Sequence, residues 1–272
     1  MKSRPSLKAV TALLVGLASA ATVQAAPVVT DWTYTLTAVW SDYQPSGVNI
    51  SGDQKTLSWG SGSSGPSSLV ITDPAADGTV ITQISGDSPQ PGSTAAGVTL
   101  THNNRPITGT SLTSAVLTAT LNLAAAAPAD AALGGPGALP PLAYQILFTE
   151  TPNTAGTCAA ASPPGNPCND IFVQQGGFLN QTLTYDDNEY FINIFPIAGG
   201  VLQTLSNAAC AAAGAGNGCL GFTTIEGESN QLAFGFTIST ERFIQQVPEP
   251  GVLALLGLGL AAGALAGRRR RV

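Results

Sequence analysis

The sequence predicts an all-β chain, an antiparallel β-sandwich or jelly-roll-like domain, and three observations carry that expectation. Eight or more segments alternate apolar residues with Ser and Thr, or are β-branched and aromatic. Clusters of Gly, Pro, Asn and Asp separate them, and these are the usual turn formers. No long amphipathic helix is visible before the C-terminal tail. In such a fold the inward apolar positions pack between two sheets while Ser and Thr face water. With 272 residues, no clear linker and no repeat of fixed spacing, residues 26–246 read as a single domain.

The strands are expected in order at Trp32 to Trp40 (WTYTLTAVW), Ser67 to Thr72 (SSLVIT), Leu112 to Leu123 (LTSAVLTATLNL) and Tyr144 to Glu150 (YQILFTE). They continue at Asp170 to Val173 (DIFV), Gln181 to Phe195 (QTLTYDDNEYFINIF), Leu220 to Glu226 (LGFTTIE) and Gln231 to Thr240 (QLAFGFTIST). The Ala-rich stretch Ala124 to Gly137 has the composition of a short helix, but Pro128 and its Gly pairs point to a loop.

The two ends differ from this body. Lys2, Arg4 and Lys8 precede the apolar run Ala9 to Ala21, and Val23-Gln24-Ala25 offers small residues where signal peptidase reads, so residues 1–25 form a signal peptide cut after Ala25. The run falls short of the ~20 residues a membrane span needs, which disfavours an N-terminal anchor. At the other end, Gly251 to Gly267 is a charge-free stretch of 17 residues. As a helix it covers about 25 Å, marginally enough for a transmembrane helix. Arg268, Arg269, Arg270 and Arg271 would hold its end in the cytoplasm.

A plain anchor has no use for Pro248-Glu249-Pro250 ahead of the span. Both prolines fix φ and lack an N–H, so the tripeptide is held extended outside the helix. Residues 247–272, with the Pro-Glu-Pro motif, apolar helix and arginine cluster in that order, resemble the bacterial PEP-CTERM sorting signal. The resemblance implies recognition by an exosortase, removal of the tail, and delivery to the cell surface or the extracellular polysaccharide matrix of a biofilm. Sec and signal peptidase would act at the N-terminus, and the membrane would be met only through the C-terminal helix before cleavage.

Without its processing segments the chain keeps fifteen acids against Lys55, Arg105 and Arg242, a net charge of −12. Such a surface repels phosphate backbones and argues against nucleic acid as a partner. It can attract divalent cations, although scattered carboxylates ordinarily form a solvated face. Four cysteines agree with an oxidising destination: Cys158 and Cys168 bracket one short segment, and Cys210 and Cys219 another. Four cysteines allow three connectivities; local pairing is the simplest. A zinc site lacks its Cys-x-x-Cys spacing, and the sole His is far off in sequence, so no metal or cofactor is assigned.

That His lies in TLTHNNRPITG, Thr99 to Gly109. Thr101, His102, Asn103 and Asn104 match the motif of the THxN group of PEP-CTERM proteins, and the resemblance extends through SSLVITDP, LTSAVLTATLNL, GNPCNDIFV, YFINIFPIAGG and LSNAACAAAGAGNGCLGFTT. The group has no assigned reaction, so it implies architecture and destination only. Physically, the imidazole can donate from one nitrogen and accept at the other, and Asn side chains can tie down a turn. The competing role is a ligand site for a sugar or metal through His102 and Asn104. Catalysis would need a nucleophile and an orienting acid that only the fold could supply.

Asp186-Asp187-Asn188-Glu189 offers calcium-like oxygens but lacks the EF-hand's glycine and spacing, so a hairpin tip is the expectation. Paired carboxylates also cleave glycosidic bonds, yet neighbouring acids on a strand face opposite ways. Trp32, Trp40 and Trp59 would form a sugar-stacking platform if exposed on one face; core packing is the ordinary use. The leading expectation is a structural surface or matrix protein without enzymatic activity, associated with exopolysaccharide. A secreted carbohydrate- or calcium-binding module is the alternative.

Overall fold

Period-two patterning governs the observed elements. In this computed structural model residues 27–76, 78–128, 137–138, 141–154, 156–176, 179–198 and 202–244 are described. The expected signal peptide, transmembrane helix, Pro248-Glu249-Pro250 and Arg268 to Arg271 lie outside them. The strands are β1 (Asp31–Gln44), β2 (Asn49–Ile50), β3 (Thr56–Trp59), β4 (Ser67–Thr72), β5 (Gly78–Gln83), β6 (Ala95–Asn103), β7 (Ser114–Ala127) and β8 (Gly137–Ala138). They continue with β9 (Leu142–Thr149), β10 (Asp170–Gln175), β11 (Gln181–Tyr185), β12 (Asn188–Ala198), β13 (Gln203–Thr204), β14 (Leu220–Thr224) and β15 (Ser229–Ser239). Among the described residues one short helix, α1 (Asn207–Ala212), is capped by the Ser206 hydroxyl, which accepts from Ala209 N–H. Among the described residues no helix is long and apolar enough to cross a membrane.

The strands form two layers. One runs β13-β14-β10-β9-β7-β1-β5 and the other β12-β15-β6-β4-β3-β2, with β11 outside β12. β5 joins them, pairing antiparallel with β1 and parallel with Ile238 and Ser239 of β15, a departure from the purely antiparallel expectation. Side chains from both layers meet in the largest core cluster: Trp40, Leu117, Ile146 and Phe172 from one, Leu57, Leu69, Leu100 and Phe234 from the other. β7 alternates buried and half-buried positions over ten residues, so its Ser, Thr and Asn partners point outward. β10 begins with four buried residues instead. Phe172 faces the main core, while Ile171 and Val173 pack on the other side against Leu205, Ala209 and Ala213 around α1.

One expectation needs correction. Ala124 to Ala127 is not loop: β7 carries through it, in register with Asp31 to Thr33 of β1. Ala is small enough to fit a paired strand, and cross-strand pairing outweighs its helix propensity. As core packing predicts, Trp32, Trp40 and Trp59 are all at most 1 % exposed, so these three form no sugar-stacking platform. Each indole N–H is satisfied internally, by the Thr82 hydroxyl, the Lys55 carbonyl and the Glu150 carboxylate respectively. Asp186 and Asp187 form the two-residue tip of the β11–β12 hairpin, both at positive φ (49° and 60°), the geometry of a type I′ turn.

Candidate functional site

The alternation of β6 turns Val98, Leu100 and His102 inward and leaves Thr101 and Asn103 on the outer face. Asn103 there stitches three strands, donating to the Ser68 hydroxyl at 3.0 Å and accepting from the Ser229 hydroxyl at 2.8 Å. His102 stacks beside Trp59 (centroids 5.8 Å apart) and meets the edge of Phe148 at 5.0 Å. Its Nδ1 lies 2.8 Å from the Thr224 hydroxyl of β14, which ties one layer to the other. Burial pushes the imidazole down to about 3, so the ring is neutral. Its Nε2 has no partner among the described residues.

Asn104 follows β6 and is 1 % exposed. Its backbone N–H donates to the Glu228 carbonyl at 2.9 Å, and its Nδ2 to the Thr224 carbonyl at 3.3 Å. Its Oδ1 has no partner among the described residues. The motif thus binds distant strands rather than its own turn, and Asn104 is not in the left-handed region.

Register then brings three acids to the same end of the sandwich. Asp170, at the start of β10, pairs with Thr224 at the end of β14, and Ile171 pairs with Thr149 at the end of β9. Glu150 follows Thr149, and Glu226 sits in the turn that carries the chain from β14 to β15, where Gly227 takes φ 82°. One carboxylate oxygen each from Glu150, Asp170 and Glu226 lies within 4.8 Å of the others. Asp170 is fully buried and Glu226 is 9 % exposed. Thr151 holds Asp170 Oδ1 through its N–H at 2.8 Å and its hydroxyl at 3.2 Å. Trp59 donates to Glu150 Oε2 at 3.2 Å.

The other four oxygens, Glu150 Oε1, Asp170 Oδ2 and both of Glu226, make no well-formed hydrogen bond among the described residues, with the Gly227 N–H in looser reach of Glu226. Among those residues the one ion pair joins Lys55 to Asp73, so no basic side chain neutralises the trio. Burial, reinforced by the Asp170 and Glu226 charges against the pull of the Trp59 N–H, raises Glu150 to about 8. Burial and the Glu226 charge raise Asp170 to about 7, against the Thr151 donors and the nearby Asn104 amide. Burial also raises Glu226, which the Gly227 N–H partly opposes. These shifts favour the protonated form of Glu150 and Asp170.

Disulfides support this end of the molecule. Cys158 is bonded to Cys168 and Cys210 to Cys219, and no described cysteine is free. The Cys168 carbonyl accepts from the Thr151 hydroxyl at 2.8 Å, so the first bridge buttresses the group that holds Asp170. Replacing Cys158 and Cys168 together by Ser is expected to lower stability by about 2–3 kcal/mol, read from the urea midpoint. The matching Cys210/Cys219 variant should lose a similar amount without disturbing Asp170, because that bridge closes the α1 segment instead.

Sequence reasoning singled out His102 and Asn104 but treated Glu150, Asp170 and Glu226 only as part of an acidic surface. No local motif joins them; the one available sign was an acid at the end of three strand-like runs.

No curated protein matches the chain. Residues 246–271 match the PEP-CTERM protein-sorting motif. The chain thus carries a PEP-CTERM protein-sorting motif, a signal that implies processing by an exosortase and export to the cell surface or extracellular space.

Proposed function

We propose that this is a non-enzymatic structural protein of the cell surface or extracellular matrix, of the THxN group, associated with exopolysaccharide and released from its transient membrane anchor by exosortase. The sorting motif at residues 246–271 carries the reading. Two local disulfides suit an oxidising extracytoplasmic setting. The absence of a reaction is supported by the placement of His102. The hydroxyl within its reach is that of Thr224, and at 2 % and 1 % exposure neither is open to a substrate. Buried tryptophans leave polysaccharide association to the polar strand faces and loops.

Glu249→Ala, expressed in a host with an exosortase, should leave a longer, membrane-retained species, while the unmodified chain is shortened and found outside. Intact-mass measurement of both fractions reads the outcome. Normal shortening of the variant would remove the sorting assignment. Purified protein should show no hydrolysis of polysaccharide, ester or peptide substrates; turnover abolished by Asp170→Asn would overturn the non-enzymatic reading.

A further inference from the structure

We infer that Glu150, Asp170 and Glu226, with the side-chain carbonyl of Asn104, form a calcium site at the end of the sandwich where β14 hands over to β15. The inference rests on the site's geometry and draws on export only for the calcium available outside the cell. Acidic clusters on protein surfaces are common without a cation, and three features set this one apart. It is buried, with Asp170 fully inaccessible. It has no Lys or Arg partner among the described residues. It also includes a neutral group that is not an acid: Asn104 is 1 % exposed, its amide lies against Asp170, and its Oδ1 has no partner. A buried amide that reaches Asp170 and leaves its own oxygen unpaired has no purpose in apolar packing.

The donor set chooses the ion. The carboxylate oxygens and the amide oxygen are hard ligands, and calcium takes six to eight oxygens at about 2.3–2.6 Å in flexible arrangements. The carboxylate oxygens within 4.8 Å of one another can close around one ion by small side-chain rotations. Zinc would ask for Cys or His, and the group contains neither. Magnesium holds its waters and a strict octahedron, which a buried cluster on four different strand ends suits poorly. A polar depression lined by Asn103, Asn104, Arg105, Gly227 and Glu228 lies beside Asn104 and the turn carrying Glu226.

Such a site would clamp the termini of β6, β9, β10 and the β14–β15 turn, and so both layers, with one ion. The partner is therefore the cation itself, acting as a staple.

The test uses the full chain purified in mild detergent, stripped with a chelator and desalted. Calorimetric titration with calcium chloride should show one saturable site with Kd of about 10⁻⁴–10⁻³ M or tighter, the range of extracellular calcium modules. Calcium should raise the midpoint of thermal unfolding by several degrees, because it binds the folded state alone. Glu226→Gln and Asp170→Asn should each weaken binding roughly tenfold or more, since ligand charge sets affinity. The isosteric amides keep the fold, which circular dichroism and the metal-free unfolding midpoint check. Terbium, standing in for calcium, should emit on excitation of tryptophan, and Trp59→Phe should dim it several-fold because Trp59 touches Glu150. A flat calcium titration would overturn the site. So would wild-type affinity in both carboxamide variants, which would place the ion elsewhere, or magnesium binding as tight as calcium. Correct sorting together with a flat titration would leave the proposed function standing and remove this inference alone.

Discussion

Trp59→Ala is expected to cost about 3–5 kcal/mol of folding free energy, the range for deleting a fully buried large aromatic. Trp59 sits at the end of β3, 1 % exposed, and fills the space between layers beside His102 and Phe148, with ring centroids 5.8 Å and 5.1 Å away. Removing it leaves a cavity that rigid strands on both sides cannot collapse to fill. It also takes the N–H from Glu150, so a partly buried carboxyl loses its one hydrogen-bond donor among the described residues. Against a typical total of about 5–15 kcal/mol, such a loss brings the domain near its unfolding threshold. Trp59→Phe keeps much of the ring volume and loses the N–H, so it should cost clearly less. Urea denaturation followed by circular dichroism measures both. A loss below about 1 kcal/mol for the alanine variant would show that the space closes or fills with water, contrary to the packing described.

His102 should make the domain sensitive to acid. The imidazole binds a proton near 6.5 in the unfolded chain but only near 3 in the fold, where burial disfavours its charge. Between those values the unfolded state holds more protons, so stability falls as pH falls through 6.5 and stops falling near 3. Its stabilising neutral state is thus fully present above 6.5. From about pH 7.5 to pH 4 this one group should remove about 3 kcal/mol. Glu150 and Asp170 titrate in the opposite sense: with raised folded values they favour the folded state at low pH and lose that effect as pH rises towards 8 and 7. The comparison that isolates His102 is therefore the stability gap between the native chain and His102→Gln, in which the carboxyl contributions are shared. That gap should narrow by about 3 kcal/mol over the same interval. Parallel pH profiles for the two proteins would mean that the imidazole takes up its proton inside the fold.

The chain discloses its strands unevenly. Ser67 to Thr72 coincides with β4, because SSLVIT is a short, β-branched-rich run between turn-forming clusters. Gln181 to Phe195 is a hairpin interrupted by Asp186 and Asp187, a turn readable from its acids. TLSW of β3 is too short to declare itself, and GTVITQ of β5 begins with glycine in a loop-like context, yet β5 is the strand that joins the layers. The burial of His102 follows from alternation with Val98 and Leu100 once β6 is recognised. The acidic trio does not follow from any local pattern. Glu150, Asp170 and Glu226 meet because β9, β10 and β14 are neighbours with their ends level, and register between strands of one sequence is not written in any of them.

The strand order also bears on when the domain can close. β15, the last described strand, pairs at once with β5, β6 and β12, and the contact of His102 with Thr224 spans 122 residues. A chain passing N-terminus first through a translocation channel emerges with these pairings unavailable until nearly all of the body has crossed. Contacts of such long range form slowly. The cysteine pairs, separated by 10 and 9 residues, need only a short emerged segment. Oxidation of the two short loops can thus precede sheet closure, which waits for the last strand of the body.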